Sequence, residues 1–229
     1  MSKHTRDDKI YFNYIKKIKN EKINNLDFVY HFPVYAGEVN LARFIFFYEM
    51  YKKVKDLSGH IADIGIWKGG SFFSFIKFVS LFEKNSQTLV YGFDWFKGMK
   101  PGANDDFAHQ GKYATSYKGL QNLLKIQGLD KIGNIQKMDL SCKFKPFLMK
   151  NKWMRFKLVF IDCGIEKVLI NTLPHVWSRL VKGGILILDH YNAPFSPTES
   201  DILEKYVGKN QIRQLSFVRQ PTAYVVKKK

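Results

Sequence analysis

From residue 60 onward, short apolar runs alternate with segments whose apolar residues recur at three- and four-residue spacing. The short runs predict strands near 60–66, 88–94, 133–138, 156–162 and 183–189, and the periodic segments predict helices near 70–83, 114–127, 143–151 and 167–181. Leu158-Val159-Phe160-Ile161 and Ile185-Leu186-Ile187-Leu188 are apolar at every position, the pattern of strands covered on both faces. Such alternation calls for a mostly parallel α/β sheet with helices on both sides. The end differs. After a helix near 197–207 come apolar segments 212–218 and 222–226, separated only by Arg219-Gln220-Pro221. A link this short cannot hold a crossover helix, so the two segments are expected to pair as a C-terminal antiparallel hairpin. Upstream, Leu41, Phe44, Ile45, Tyr48 and Tyr51 share one face of a helix over 38–56, which Ser58-Gly59 ends. Ile10, Tyr14, Ile15 and Ile18 predict a loosely attached helix within 1–25. The chain thus divides into an N-terminal helical extension, 1–58, and an α/β domain, 59–229.

Open α/β sheets bind ligands at the carboxyl ends of their strands, so the informative residues are those just past each strand. The first strand is followed by Asp63, Gly65, Trp67, Lys68, Gly69 and Gly70. This G-x-x-x-G-G spacing is not the G-x-G-x-x-G that cradles a pyrophosphate. It suits a turn that admits a nucleoside bearing an amino-acid tail, with Asp63 facing the tail's ammonium; the competing reading is a tight turn that Asp63 merely caps. Asp94 ends the second strand and has the acceptor pair for a ribose diol. Asp139, past the third strand, is placed to accept from an adenine amine or to cap the next helix.

Asp162 ends the fourth strand, and Asp189 and His190 end the fifth. A carboxylate at the end of a buried strand needs a partner or a task. Two readings compete: a metal site built from Asp162, Asp189 and His190, or metal-free general-base chemistry with His190 as base and a carboxylate orienting it. The loop over 95–112 is long and rich in Gly and Pro, as lids and binding loops are; Asp105, Asp106 and His109 on it are candidate substrate contacts, with exposed polar loop-tip residues as the favoured reading of each.

Charge changes the picture little. The formal net charge is +17, but 31 of the 37 basic residues are scattered lysines. Phosphate and base recognition favour arginine forks, so nucleic acid is not the expected partner; an anionic small acceptor is compatible. The N-terminal segment is charged, no apolar run approaches the roughly 20 residues that span a bilayer, and Cys142 and Cys163 form no CxxC pair. A reduced, cytoplasmic protein is expected. The aromatic-rich 28–51 region is the candidate contact for a homodimer.

These residues resemble the macrocin O-methyltransferase-type SAM-dependent methyltransferases, which also occur in bacterial polysaccharide and natural-product clusters. The resemblance runs over about residues 34–192 and includes Asn40-Leu-Ala-Arg43, Asp63-Ile-Gly-Ile-Trp-Lys-Gly-Gly-Ser71, Gly92-Phe-Asp-Trp-Phe-Lys-Gly98, Tyr113-Ala-Thr-Ser-Tyr117, Ile161-Asp-Cys163 and Gly183-Gly-Ile-Leu-Ile-Leu-Asp189. It implies a Rossmann-like class I methyltransferase sheet, which ends in an antiparallel hairpin. It implies that Asp63, Gly65, Trp67, Lys68, Gly69, Gly70 and Ser71 hold the methionine part of S-adenosyl-L-methionine (SAM). Asp94 with Trp95 would hold the ribose, Asp139 with Leu140 the adenine, and Asp162 would flank the cofactor. Metal-dependent members carry Asp-x-Asp after the fourth strand and Asp-Asp after the fifth. Here Asp162 and Asp189 match, whereas Gly164 and His190 replace carboxylates. That exchange weakens a hard-cation site for Mg²⁺ and favours His190 as base. The activity implied is methyl transfer to a hydroxyl of a sugar, glycan precursor or natural product. A Rossmann-like nucleotide-dependent oxidoreductase and a non-catalytic SAM-fold binding protein are the alternatives.

Overall fold

The computed structural model describes residues 3–193 and 196–228. The first two residues of the expected N-terminal helix and the last lysine of the basic tail lie outside the described residues. The helices are α1 (Lys3–Ile18), α2 (Asn25–Tyr30), α3 (Phe32–Tyr35), α4 (Glu38–Val54), α5 (Gly70–Phe82), α6 (Tyr117–Ile126), α7 (Phe144–Lys150), α8 (Glu166–Arg179) and α9 (Pro197–Val207). The strands are β1 (His60–Ile64), β2 (Val90–Asp94), β3 (Gly133–Lys137), β4 (Phe156–Ile161), β5 (Leu180–Leu188) and β6 (Ala223–Val226). They form one sheet in the order β3-β2-β1-β4-β5-β6. All neighbours are parallel except β5 and β6. The order reverses between β1 and β4, which opens a crevice at their carboxyl ends.

Each strand feeds two cores, because successive side chains point to opposite faces. Ile61, Leu158, Phe160, Ile185 and Ile187 join Phe46, Phe47, Met50 and Tyr51 of α4 and Phe72 and Phe75 of α5. Ala62, Ile64, Val159, Ile161, Leu186 and Leu188 join the inner faces of α7, α8 and α9. The continuous apolar runs of β4 and β5 follow from this double coverage. Helix α4 is fully part of the first core: Phe46, Phe47, Met50, Tyr51 and Val54 are all completely buried. At about 1.5–3 kcal/mol for each large side chain, this packing fixes α4 rigidly on the sheet.

The α/β class, the five parallel strands and the antiparallel C-terminal pair follow the sequence pattern. The pair is made differently, however. Strand β6 runs against β5, with Leu188 opposite Ala223, while segment 212–218 contributes a single bridge between Arg213 and Tyr224. Leu215 and Val218, three residues apart, both pack on the same core. A strand alternates faces every residue and cannot place both there. Two further elements shift. Strand β5 begins at Leu180, so Lys182-Gly183-Gly184 lies within it as a bulge, with Gly183 at φ 80°. Helix α6 begins at Tyr117 because the Ser116 side chain accepts from the Gly119 N–H. Among the described residues no helix is long and apolar enough to cross a membrane.

At the amino ends of the strands, Lys157 of β4 is 1% exposed. Its ammonium donates to Glu83 Oε2 (2.8 Å), Thr88 Oγ1 (3.1 Å) and the Lys55 carbonyl (3.0 Å), just past α4. The Tyr51 hydroxyl donates to the other Glu83 oxygen (2.8 Å). Removing one member of a buried pair strands the other charge. Lys157→Met is therefore expected to cost about 3–5 kcal/mol in urea denaturation, with most of it recovered in Lys157→Met/Glu83→Gln. A loss below about 1 kcal/mol in the single variant would show that the pair is structurally idle.

Candidate active site

Past β1 the chain turns at Gly65, φ 90°. A Cβ there would lie 2.1 Å from the Asp162 carbonyl oxygen, so only glycine lets β1 pass this close to the end of β4. Gly69, at φ 85°, precedes α5, whose N-terminus has no side-chain cap. A Cβ on Gly70 would meet nothing within 4 Å. The turn is thus tightly packed beneath and open above. Asp63 is completely buried; the Ser71 side chain stands beside it, yet neither carboxylate oxygen is met at full hydrogen-bond geometry. Burial pushes its carboxyl up to about 8, against the opposing influence of Ser71. A buried carboxylate with both oxygens so poorly met is costly unless a cation arrives.

Asp94 stitches the second strand to this turn. It accepts from the Trp67 N–H (2.9 Å) and the Phe96 N–H (2.7 Å). Both donors belong to residues in the left-handed region, φ 43° and 67°, strain that is common at ligand sites. Burial raises the Asp94 carboxyl, while the N–H bonds of Phe96 and Trp67 oppose it. The Trp95 N–H opposes it as well, so Asp94 retains room for one further donor. Trp95 is held by its indole N–H on the Gly98 carbonyl. Trp67 is partly exposed, with Tyr113 edge-on at 5.1 Å and the Lys68 ammonium at 5.0 Å. Asp139 is half-buried, and its Oδ1 accepts from the Ser141 N–H (2.9 Å) and hydroxyl (2.6 Å), which hold its carboxyl below the usual range. Capping and adenine contact are therefore compatible only through Oδ2. Leu140 is buried in the core below.

The remaining carboxylates converge on an arginine for which sequence reading assigned no role. Arg43 Nη1 donates to Asp189 Oδ1 (2.5 Å) and Nη2 to Asp162 Oδ2 (3.1 Å). Its guanidinium lies 5.2 Å from the Phe47 ring centre and 5.4 Å from that of Phe160. The advance signs were its place in the Asn40-Leu-Ala-Arg43 stretch of the resemblance and its setting in an aromatic helix of a chain whose cations are mostly lysine. His190 Nε2 faces Asp189 Oδ2 (3.2 Å) and Asp162 Oδ1 (3.7 Å), and Nδ1 faces Glu199 Oε2 (3.5 Å). Glu199, from α9, is completely buried and also accepts from the His190 backbone N–H (3.2 Å). It too was missed, since an acid in the first turn of a helix reads as an ordinary dipole partner.

Protonation follows the geometry. Burial favours neutral His190, but Asp189 and Glu199 outweigh it and hold the imidazole proton well above the ordinary range. Burial also works against ionised Asp189, which Arg43 and His190 nevertheless hold low. Burial and the neighbouring Asp189 push Asp162 up. In this protonation state the imidazolium, with its nitrogens facing carboxylates, has no lone pair to offer. Ligand atoms of Asp162, Asp189 and His190 do lie within 4.8 Å of one another, but Arg43 sits on the same carboxylates. Gly164 takes φ 49°, and a Cβ there would lie 3.3 Å from His190 Nδ1.

The 95–112 loop is latched rather than free. Asp105 accepts from the Glu166 N–H at the start of α8 (2.9 Å) and from Gly102 (2.7 Å), and Asp106 caps the short turn at Ala108 (2.8 Å). These two acids serve the loop itself, in keeping with the loop-tip reading favoured for them. His109 packs its ring 5.6 Å from Tyr113.

The profile of the macrocin O-methyltransferase (TylF) family matches residues 42–217. No curated protein matches the chain by sequence. Among solved structures, the calicheamicin methyltransferase CalS11 is similar at TM-score 0.79 and 20% identity, covering 96% of this chain and 92% of its own. A second CalS11 structure describes that protein as a TDP-rhamnose 3'-O-methyltransferase. The O-methyltransferase NovP is similar at TM-score 0.65 and 16% identity, over 83% of this chain and 81% of its own. An O-methyltransferase from Bacillus cereus, solved with S-adenosyl-homocysteine (SAH), has TM-score 0.57 and 14% identity, over 94% and 96% of the two chains. A crevice at the β1/β4 reversal, a glycine turn over an unanswered carboxylate and a family match across three quarters of the sequence lead to one conclusion: this chain belongs to the macrocin O-methyltransferase (TylF) family of SAM-dependent methyltransferases.

Proposed function

We propose that this enzyme methylates a hydroxyl of a sugar, carried on a natural-product or glycan precursor, and that Asp162 is the proton acceptor. The observation that carries the reading is Asp63: a completely buried carboxyl at the glycine turn with neither oxygen met at full hydrogen-bond geometry, whereas Asp162 and Asp189 are already held by Arg43 and His190. A ligand that brings an ammonium supplies the missing partner. Asp63 would take the ammonium, the backbone from Trp67 to Ser71 the carboxylate at the open N-terminus of α5, and Asp94 the ribose hydroxyls. Asp139 and Leu140 would flank the base, and Asp162 would lie on the side of the transferable methyl. SAM supplies a methyl on sulfonium sulfur, and transfer leaves a neutral thioether.

The chain's own task is to hold the acceptor oxygen about 3 Å from the methyl carbon and to remove its proton. The Asp162 side chain is 29% exposed, against 4% for Asp189, so it is the carboxylate that a crevice ligand reaches. As the oxygen–carbon bond forms, the hydroxyl proton passes to Asp162, while Arg43 and His190 steady the charge beside it. A sugar acceptor is supported by the family and by the CalS11 activity on TDP-rhamnose, and a phosphorylated sugar carrier suits a chain of net charge +17. Two free cysteines suit a reducing cytoplasm.

Because Asp63 is protonated in the free protein below about pH 8, it must shed its proton to pair with an ammonium. SAM binding is therefore expected to strengthen with pH between pH 6 and 7.5, approaching about tenfold per unit, with release of about one proton. Calorimetry in buffers of different ionisation enthalpy reads both; a flat affinity with no proton release would refute the pairing. Asp162→Asn is expected to lower kcat by about 10²–10⁴-fold, assayed with methyl-labelled SAM and a panel of nucleoside-diphosphate sugars. Wild-type turnover in that variant would remove Asp162 from the proton path.

A further inference from the structure

We infer that Arg43 and His190 stand where a divalent cation would otherwise sit, so that this site works without a metal ion. The inference rests on the methyl-transfer reading and concerns the Asp162–Asp189 pair. Each of the four carboxylate oxygens of that pair already faces a protein cation. Asp189 Oδ1 and Asp162 Oδ2 take the two arms of the Arg43 fork at 2.5 and 3.1 Å. Asp189 Oδ2 and Asp162 Oδ1 face His190 Nε2 at 3.2 and 3.7 Å. The other imidazole nitrogen faces Glu199, which is completely buried.

Mg²⁺ demands near-octahedral oxygen coordination at about 2.0–2.1 Å. It would have to evict the guanidinium from both carboxylates. Arg43 is poorly placed to leave, because its guanidinium packs near the rings of Phe47 and Phe160, both completely buried. Another carboxylate ligand at 164 is disfavoured too: the backbone there is at φ 49°, and a Cβ would crowd His190 Nδ1 at 3.3 Å. Glycine at 164 and histidine at 190 thus fit as a pair, the one making space for the other. A planar fork held by two carboxylates supplies fixed positive charge beside the reacting hydroxyl with no ion to acquire or lose.

The test is direct metal binding to the full chain, read by the electron paramagnetic resonance signal of free Mn²⁺ after EDTA treatment and desalting. Wild type is expected to leave the Mn²⁺ signal undiminished up to about 1 mM, the weak end of biological divalent sites. It is also expected to bind SAH with the same Kd in EDTA as in excess Mg²⁺. Arg43→Met, which uncovers both carboxylates, is expected to gain at least about tenfold in Mn²⁺ affinity. Should that variant not fold, Arg43→Lys keeps the charge without the fork and is expected to gain affinity in the same direction. One Mn²⁺ bound per wild-type chain below about 0.1 mM, or variants that bind it no better than wild type, would overturn the inference. Failure of SAH to bind under either condition would instead count against the methyl-transfer reading, whatever Mn²⁺ does.

Discussion

Burying carboxylates at the ends of parallel strands is the constraint on which the rest of this structure depends. Asp63, Asp162 and Asp189 close three adjacent strands, and an apolar sheet covered on both faces gives them little water. Two of them are answered from outside the sheet. Arg43 reaches Asp162 and Asp189 from α4, 119 and 146 residues away in the sequence. That reach explains why α4 is packed so completely, with Phe47 serving both the core and the guanidinium. Asp63 lacks such a cation, and on the proposed function this asymmetry is what a ligand's ammonium would answer. The two paired carboxylates form a fixed, nearly neutral wall.

The sequence revealed the framework because the framework is local. Continuous apolar runs at 158–161 and 185–188 mark doubly covered strands, and each strand ends on a visible carboxylate. The glycine turn was legible for the same reason: Gly65 and Gly69 need backbone freedom that can be read within a dozen residues. Arg43 and Glu199 were not legible, since each matters only through a contact made across the fold, and each sits on a helix where its residue type is ordinary. Asp105 and Asp106 were open to two readings: an acid on a long loop beside a crevice resembles a substrate contact, yet backbone N–H groups of the loop and of α8 claim both. Segment 212–218 misled through periodicity: its apolar residues look like a strand, but the contacts of Leu215 and Val218 follow a three-residue spacing.

The altered strand ends also carry a chemical consequence. With an imidazole in place of a carboxylate at 190 and no side chain at 164, the cluster becomes richer in fixed cations and poorer in oxygen donors. His190 then belongs with Arg43, as positive charge held by acids, and under the proposed mechanism the proton goes to Asp162, the more accessible carboxylate. The glycine turn and Asp94 keep the pattern of the resemblance, and the departures lie at 164 and 190.

The most direct test is a crystal structure of the chain with SAH. The account predicts the amino group of SAH on Asp63, its ribose on Asp94, and Arg43 still bridging Asp162 and Asp189 in crystals grown with excess Mg²⁺. A ligand bound away from Asp63, or Arg43 swung aside with a metal ion between the two carboxylates, would contradict it.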